Sequence, residues 1–327
     1  MRSPGRFGSA PAPWSDRDAA GWNYATQARR QPGSTAKPLF DYGPGFEYND
    51  FSTYTLFNDE PWAYTNGPVI GNWDGIFEGL ITLRRALSYS RNIPALKAFQ
   101  QVDKKNIVNF VNGLGLDVAY STSSDNYMVA ENGGDNVINE AYSIGGVGYG
   151  YSPLEMAEAY ACFASGGYHI DTHAVTKIEY RSTGEVVEFN YDKEKVMSDS
   201  TAYLMNNVLQ YAVEYGFNGG ARVYGSTVAA KTGTSNLPDE VIESLGIPYG
   251  SVNDLWTVAY TPEYSVALWY GYEKATSEHY LNGASAPKDD VMRAVMKYVP
   301  KSTTKWTMPS SVVAVTVEKE SWPAKLP

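Results

Sequence analysis

The apolar pattern of this chain changes partway along. Up to about residue 165 the regular apolar runs recur at spacings of three and four; from about residue 174 alternating runs appear, with helical ones between and after them. A chain that runs helices first, then strands flanked by helices, is not built from alternating strand–helix units. The order predicts an α+β fold: an antiparallel sheet flanked by helices, plus a helical subdomain.

A helix is expected to begin at Ser34–Thr35, because Pro38 is tolerated only near a first turn. Residues 40–74 read as a long aromatic loop. Residues 79–88 and 94–104 read as two helices joined by the turn YSRN, and 105–115 as a helix with a glycine stop. The polar stretch 118–150 reads as loop. Residues 152–165 open on Ser-Pro-x-Glu, a helix-start signature. Two strands, 174–181 and 185–190, flank the turn Ser182-Thr183-Gly184. Then come a helix at 198–215, strands at 226–234, 255–261 and 264–272, and a closing helix at 288–299.

The 327 residues predict about two domains, or one large domain with an insertion. We divide them into a linker remnant at 1–20, a main domain at 21–300 and a C-terminal edge segment at 301–327. With 43% hydrophobic residues the chain can bury a core. Its net charge of −10 argues against nucleic acid and against an anionic membrane surface. No stretch approaches the apolar length of a spanning helix, and the first 20 residues lack a signal-peptide core. Cys162 is the sole cysteine and sits in a helical apolar run, so it reads as a small buried hydrophobe.

Three short motifs carry the chemistry: Ser34-Thr35-Ala36-Lys37, Ser90-Arg91-Asn92 and Lys231-Thr232-Gly233. The chain also supplies decoys. Ser302-Thr303-Thr304-Lys305 repeats the first spacing; Ser124-Asp125-Asn126 and Ser251-Val252-Asn253 repeat the second. Context separates them. Ser34 follows a glycine and opens a helical segment, which puts Lys37 one turn away on the same face. Ser90 lies between two helices. Ser302 has no apolar helix to seat it, and Ser124 lies in a polar run.

A serine hydroxyl is a weak nucleophile without a base. A lysine becomes that base when burial or a neighbouring cation favours its neutral form, and Lys231 is the expected cation. The strand carrying Lys231 ends in Thr-Gly-Thr-Ser, whose glycine admits a substrate backbone and whose hydroxyls and ammonium suit a carboxylate. His169 and His173 are four apart, but outside any predicted helix and with only Asp171 nearby. With His279 they read as ordinary structural histidines, and neither a metal nor a cofactor is expected.

In this order the three motifs are recognisable: Ser-x-x-Lys, Ser-x-Asn and Lys-Thr-Gly together are the set of penicillin-binding proteins and serine β-lactamases. The chain resembles the transpeptidase domain of a class A penicillin-binding protein. Arg30-Gln31-Pro32-Gly33-Ser34-Thr35-Ala36-Lys37-Pro38, Ile81-Thr82-Leu83, Ser90-Arg91-Asn92-Ile93-Pro94-Ala95 and Ala230-Lys231-Thr232-Gly233-Thr234-Ser235-Asn236 carry the likeness, over about residues 20–300. The middle motif has Arg91 where an aspartate is common.

The resemblance implies an acyl-serine enzyme. Ser34 would be acylated by a peptidoglycan stem peptide ending in D-Ala-D-Ala, and Lys37 would take its proton. Ser90 would relay a proton to the leaving amine, with Lys231 close by. Asn92 would bind the substrate amide and contact Lys37. Lys231, Thr232, Gly233, Thr234 and Ser235 would form the carboxylate-binding strand, and the backbone N–H groups of Ser34 and Thr234 the oxyanion hole. The acyl group would pass to an amine of a second stem peptide; β-lactams would mimic the donor. The family's membrane anchor and glycosyltransferase domain are not visible in this chain, which implies an isolated domain or a truncated product. Its place would be the outer face of the bacterial cytoplasmic membrane.

Three rival readings share the acylation half: a D,D-carboxypeptidase, a serine β-lactamase and a non-enzymatic β-lactam sensor. A β-lactamase needs a glutamate that activates water. Glu140 and Glu155 lie between the second and third motifs, without a recognisable loop of that kind around them.

Overall fold

The structure is a computed structural model that describes residues 21–118, 137–283 and 287–317. The first half is mainly helical. A 3-10 turn (Gly33–Ala36) runs into a π-helical turn (Pro38–Tyr42) and then helix α1 (Gly43–Tyr48). Short strands β1 (Leu56–Asp59), β2 (Trp62–Ala63), β3 (Val69–Ile70) and β4 (Gly79–Thr82) follow. After them come helices α2 (Leu83–Ser88), α3 (Asn92–Gln101) and α4 (Lys104–Gly113). Helix α5 (Pro153–Ala164) starts on the capping box that its sequence announces: Ser152 Oγ accepts from Glu155 N, and Glu155 Oε2 accepts from Ser152 N at 2.7 Å.

The second half opens with β5 (Tyr168–His169), the hairpin strands β6 (Lys177–Glu179) and β7 (Val186–Glu188), and β8 (Glu194–Lys195). Helix α6 (Asp199–Tyr215), capped by Ser198, leads to strand β9 (Ala229–Asn236). Helix α7 (Asp239–Leu245), strands β10 (Ser251–Tyr260), β11 (Ser265–Gly271) and β12 (Leu281–Asn282), and helix α8 (Lys288–Tyr298) complete the order.

The main sheet is antiparallel, with β10 paired to β9 on one side and to β11 and β12 on the other. Both of its faces are covered. Ala229, Trp256, Val258 and Tyr260 join the large core with α5 and most of α6. Ala230 and Ala259, one residue out of phase, join Val213, Met292 and Met296 beneath α8. Tyr260 Oη donates to Asn206 Oδ1 at 2.7 Å, and Asn206 Nδ2 donates to the Phe163 carbonyl at 2.8 Å, tying sheet, α6 and α5 together. The α+β architecture read from the pattern is the observed one.

Several expectations are corrected. Residues 43–48, read as loop, are helical, and 79–82, read as the start of a helix, form strand β4 against β1. The two strands around Ser182-Thr183-Gly184 form, but Val186, Val187, Ile178 and Phe189 are exposed, so their alternation marks no buried face. Residues 301–317 form no strand. Their backbone meets the chain before β9 through Thr227 N to the Ser302 carbonyl, 2.8 Å, and Trp306 packs on Tyr260.

Candidate active site

The segment that carries Ser34 is fixed from three directions. Arg30 pairs with Asp254 of β10 at 2.6 Å. Trp256 Nε1, also from β10, donates to the Gln31 carbonyl at 2.9 Å. Tyr160 Oη, from α5, donates to the Thr35 carbonyl at 2.8 Å. Gly33 has a left-handed backbone, φ +53°, and a Cβ there would come within 2.8 Å of Thr234 N. The 3-10 turn and β9 therefore touch backbone to backbone, which only glycine permits at this point.

Ser34 is half-buried and Lys37 is fully buried one turn later. Lys37 Nζ lies 2.6 Å from the Ser90 carbonyl, 2.7 Å from Asn92 Oδ1 and 3.3 Å from Ser90 Oγ. Its hydrogen bonds thus go to the second motif and not to Ser34. Lys231 Nζ reaches the same hydroxyl, Ser90 Oγ, at 2.8 Å. The structure so brings together Ser34's turn, Lys37, Ser90, Asn92 and Lys231, residues far apart in the sequence.

Burial pushes the Lys37 ammonium down to about 7; the Arg91 guanidinium pushes the same way, while the Asp41 and Asp59 carboxylates oppose it. Lys231 lies well below the usual lysine range, first through burial and then through the charge of Lys37. Arg91 is thus a further cation acting on Lys37, beside the Lys231 to which the sequence points. Charge on either lysine disfavours charge on the other, and the two titrate as a pair.

Along β9 the side chains alternate. Lys231, Gly233 and Ser235 are buried, whereas Thr234 is exposed and Thr232 half-buried. Thr232 Oγ1 donates to Asn218 Oδ1 at 3.1 Å. Ser235, grouped with the carboxylate binders from sequence, faces the other way and donates to the buried Asp254 Oδ2 at 2.5 Å.

The decoys lie elsewhere. Ser302 sits in irregular backbone, and Ser251 is in β10, donating to the Pro248 carbonyl at 2.6 Å. Ser124 lies outside the described residues. Glu140 is engaged by the Thr65 hydroxyl at 2.6 Å, and Glu155 by its helix cap and by Arg29 at 2.7 Å. Cys162 is buried in the core, which pushes its thiol up. His173 stacks on Tyr191, centroids 3.5 Å apart. His169 Nε2 hydrogen-bonds Glu158 Oε1 at 2.6 Å, and Asp171 completes a cluster whose ligand atoms lie within 4.8 Å of one another. Glu158, on α5, is a neighbour that the local sequence around the histidines does not reveal.

Sequence reasoning also missed the support of the second motif. Arg91 is buried and pairs with Asp59 at 3.0 Å and Asp74 at 2.7 Å, and its guanidinium also donates to the Ile76 carbonyl. Ser90 itself is held in a left-handed backbone, φ +55°, rare for a residue with a side chain. The signal lay in 71–78, where Asn72, Asp74 and Glu78 crowd a short glycine-flanked loop.

A serine on a helical turn, two buried lysines meeting at a second serine, and a β-strand edge beside them form the candidate site, in a fold of the penicillin-binding class. The Penicillin binding protein transpeptidase domain family matches residues 10–297, and the chain belongs to it. It is 40% identical over 317 residues to Penicillin-binding protein 1A/1B of Bacillus subtilis (strain 168), covering 95% of this chain and 33% of that protein. It is 35% identical over 298 residues to Penicillin-binding protein 1A of Streptococcus pneumoniae, covering 89% and 40%. The chain thus spans well under half the length of these curated relatives. Among solved structures, PonA1 of Mycobacterium tuberculosis in complex with penicillin V shares the fold, with TM-score 0.70, 22% identity, and 90% of this chain matched to 75% of that one. Penicillin-Binding Protein 1A from Haemophilus influenzae matches with TM-score 0.68 and 18% identity, covering 92% and 47%. The chain is a penicillin-binding transpeptidase domain of the class A type. Among the described residues no helix is long and apolar enough to cross a membrane.

Proposed function

We propose that this domain is the D,D-transpeptidase part of a peptidoglycan synthase and works through an acyl-serine intermediate on Ser34. The observation that carries the reading is that Lys37, one turn from Ser34, meets Lys231 at Ser90 Oγ.

Neutral Lys37 uses two N–H groups on the Ser90 carbonyl and Asn92 Oδ1, which leaves one position on nitrogen for an incoming proton. Ser34 Oγ attacks the carbonyl of the penultimate D-alanine and its proton passes to Lys37. The C–N bond breaks, and terminal D-alanine leaves with a proton relayed through Ser90. An acceptor amine then attacks the ester, forms the cross-linking amide and returns Ser34 to its hydroxyl form. The backbone N–H groups of Ser34 and Thr234 receive the oxyanion; the close approach of Gly33 to Thr234 supports this pairing. The Thr234 hydroxyl and Lys231 hold the terminal carboxylate, joined by the Thr232 hydroxyl once it turns from Asn218, and a bound carboxylate restores charge to Lys231. Asn92 holds the substrate amide; Ser235 steadies the strand through Asp254. A β-lactam enters as a donor mimic and stays on Ser34 as an ester. In the whole protein we place this chemistry on the outer face of the cytoplasmic membrane, beside a glycosyltransferase domain and an anchor encoded elsewhere in the polypeptide.

Intact mass after incubation with a labelled penicillin tests the reading. One stable adduct, lost in Ser34→Ala and kept in Ser302→Ala, is expected. An adduct that survives Ser34→Ala overturns the nucleophile, and release within seconds points to a β-lactamase. A synthetic D-Ala-D-Ala donor with an amine acceptor then separates cross-linking from hydrolysis, the carboxypeptidase outcome.

A further inference from the structure

Helix α3 begins at Asn92, but the residue before it, Arg91, offers no side-chain cap to the first N–H groups. The cap comes from another segment. Asn72 Oδ1 accepts from Asn92 N at 2.8 Å and lies 3.4 Å from Ile93 N. Its amide nitrogen donates to Asp59 Oδ1 at 2.7 Å and to the Ile76 carbonyl at 2.9 Å. Asn72 is itself buried, and both ends of its amide are in use. Asp59 is the hub behind it: its other oxygen accepts from Arg91 Nε at 3.0 Å and from Glu78 N at 3.1 Å. The neighbouring Gly71 carbonyl accepts from Asn92 Nδ2 at 2.9 Å.

These bonds fix Asn92 at its backbone N–H and at its amide nitrogen. The second N–H of that nitrogen is left for the substrate amide, and Oδ1 meets Lys37 Nζ at 2.7 Å. Rotation of the amide would turn an N–H towards the Lys37 nitrogen and remove its acceptor. We propose that Asn72, braced by Asp59, is a positioning residue for acylation: it caps α3 from outside the helix and thereby sets the Asn92 oxygen that orients Lys37. The inference rests on the acyl-serine reading above.

The test is single-turnover acylation by a fluorescent penicillin, with melting measured in parallel, at a pH above the Lys37 titration. Wild type and Ser34→Ala come first. No labelling of wild type, or labelling that survives Ser34→Ala, removes the acyl-serine reading itself and is recognised before any Asn72 variant is made. Given that control, Asn72→Ala is expected to lower the acylation step about a hundredfold, as a displacement of about 1 Å does in a reacting group, with the initial penicillin affinity little changed. Asn72→Asp keeps the cap acceptor but sets a carboxylate against Asp59, so it too should slow acylation. Adding Asp59→Asn restores the donor–acceptor pair with its direction reversed and the charge count unchanged. This double variant is expected to recover part of the rate, because the Ile76 carbonyl still lacks the donor that Asn72 gave it and Arg91 keeps its ion pair only with Asp74 and, more distantly, Glu78. A wild-type rate in Asn72→Asp overturns the proposal. So does a double variant that melts like wild type yet acylates no faster than Asn72→Asp. The comparison of single and double variants stands even if Asn72→Ala does not fold.

Discussion

The amino groups of Lys37 and Lys231 converge on one hydroxyl, Ser90 Oγ, from 3.3 and 2.8 Å. Two buried ammonium groups cannot share so small a space at full charge, so at least one of the two lysines is neutral. The hydroxyl between them both donates and accepts, and a proton can pass through it in either direction.

A pH dependence follows. Lys37 can accept a proton only when neutral, and burial sets its midpoint at about 7. The acylation rate constant should therefore rise with pH through about 7 and level off above it. Rapid-mixing rates from about pH 5.5 to about pH 9, spanning that midpoint, check this; a flat profile would mean that Lys37 is not the base.

Ser90 offers a second test. Its backbone is left-handed, which costs a residue with a Cβ about 1–2 kcal/mol and glycine almost nothing. Ser90→Gly and Ser90→Ala should both lose the proton relay, about 10²-fold or more in acylation. In thermal melting Ser90→Gly should be at least as stable as Ser90→Ala, the reverse of the usual order for these residues.

The contact between the nucleophile turn and β9 should not tolerate a methyl group. At Gly33 a Cβ would lie 2.7 Å from the Thr234 carbonyl carbon; at Gly233 it would lie 3.0 Å from Thr35 N and overlap the Pro32 carbonyl. Both alanine variants should lose acylation. Gly225 has an equally left-handed backbone, φ +75°, but open space around it. Gly225→Ala should cost only the backbone term, about 1–2 kcal/mol, with acylation retained.

Asp41 is fully buried, and neither carboxylate oxygen has a hydrogen-bond partner among the described residues. Burial holds its carboxyl well above the usual range, against the pull of Lys37. Above about pH 4 the unfolded chain ionises this group while the folded protein keeps it protonated, so it destabilises the fold increasingly as pH rises towards the folded midpoint. Asp41→Asn removes that dependence. Its stability relative to wild type should improve as pH rises above about 4, read by denaturant unfolding at each pH; a constant difference would mean that the buried carboxyl ionises as it does in the unfolded chain.

How much of the fold is legible depends on whether the information is local. The Ser152/Glu155 capping box and the alternating text of β10 and β11 report their own neighbourhood, and they are readable. Helix α1 is not, because Gly43-Pro44-Gly45 argues against a helix. The glycines are there for packing: a Cβ at Gly43 would come 2.7 Å from the Phe110 ring, and one at Gly45 would overlap the Phe51 ring. Strand β4 escapes a sequence reading since Gly79–Thr82 is too short to carry a period, and its partner, Leu56–Asp59, lies well upstream in the chain. At the site, Ser34, Lys37, Ser90 and Lys231 announce themselves as motifs. Asn72 and Asp59 do not, because an amide and a carboxylate in a polar loop look alike whether they hold a helix or face water.

The pairing of β9 with β10 sets Lys231 opposite Val258 and Thr234 opposite Leu255, with an irregularity only near Val252 and Asp254. Because a strand's side chains alternate, one added or deleted residue upstream in β9 would turn Lys231 away from Ser90 and bring a neighbour in its place. The hydrogen-bond ladder therefore acts as a reading frame for the strand that carries Lys231. A frame of two states is coarse but unforgiving: a substitution in β9 acts at its own position, whereas a single-residue insertion would exchange the inner and outer sets together, leaving a folded sheet with these side chains on the wrong side.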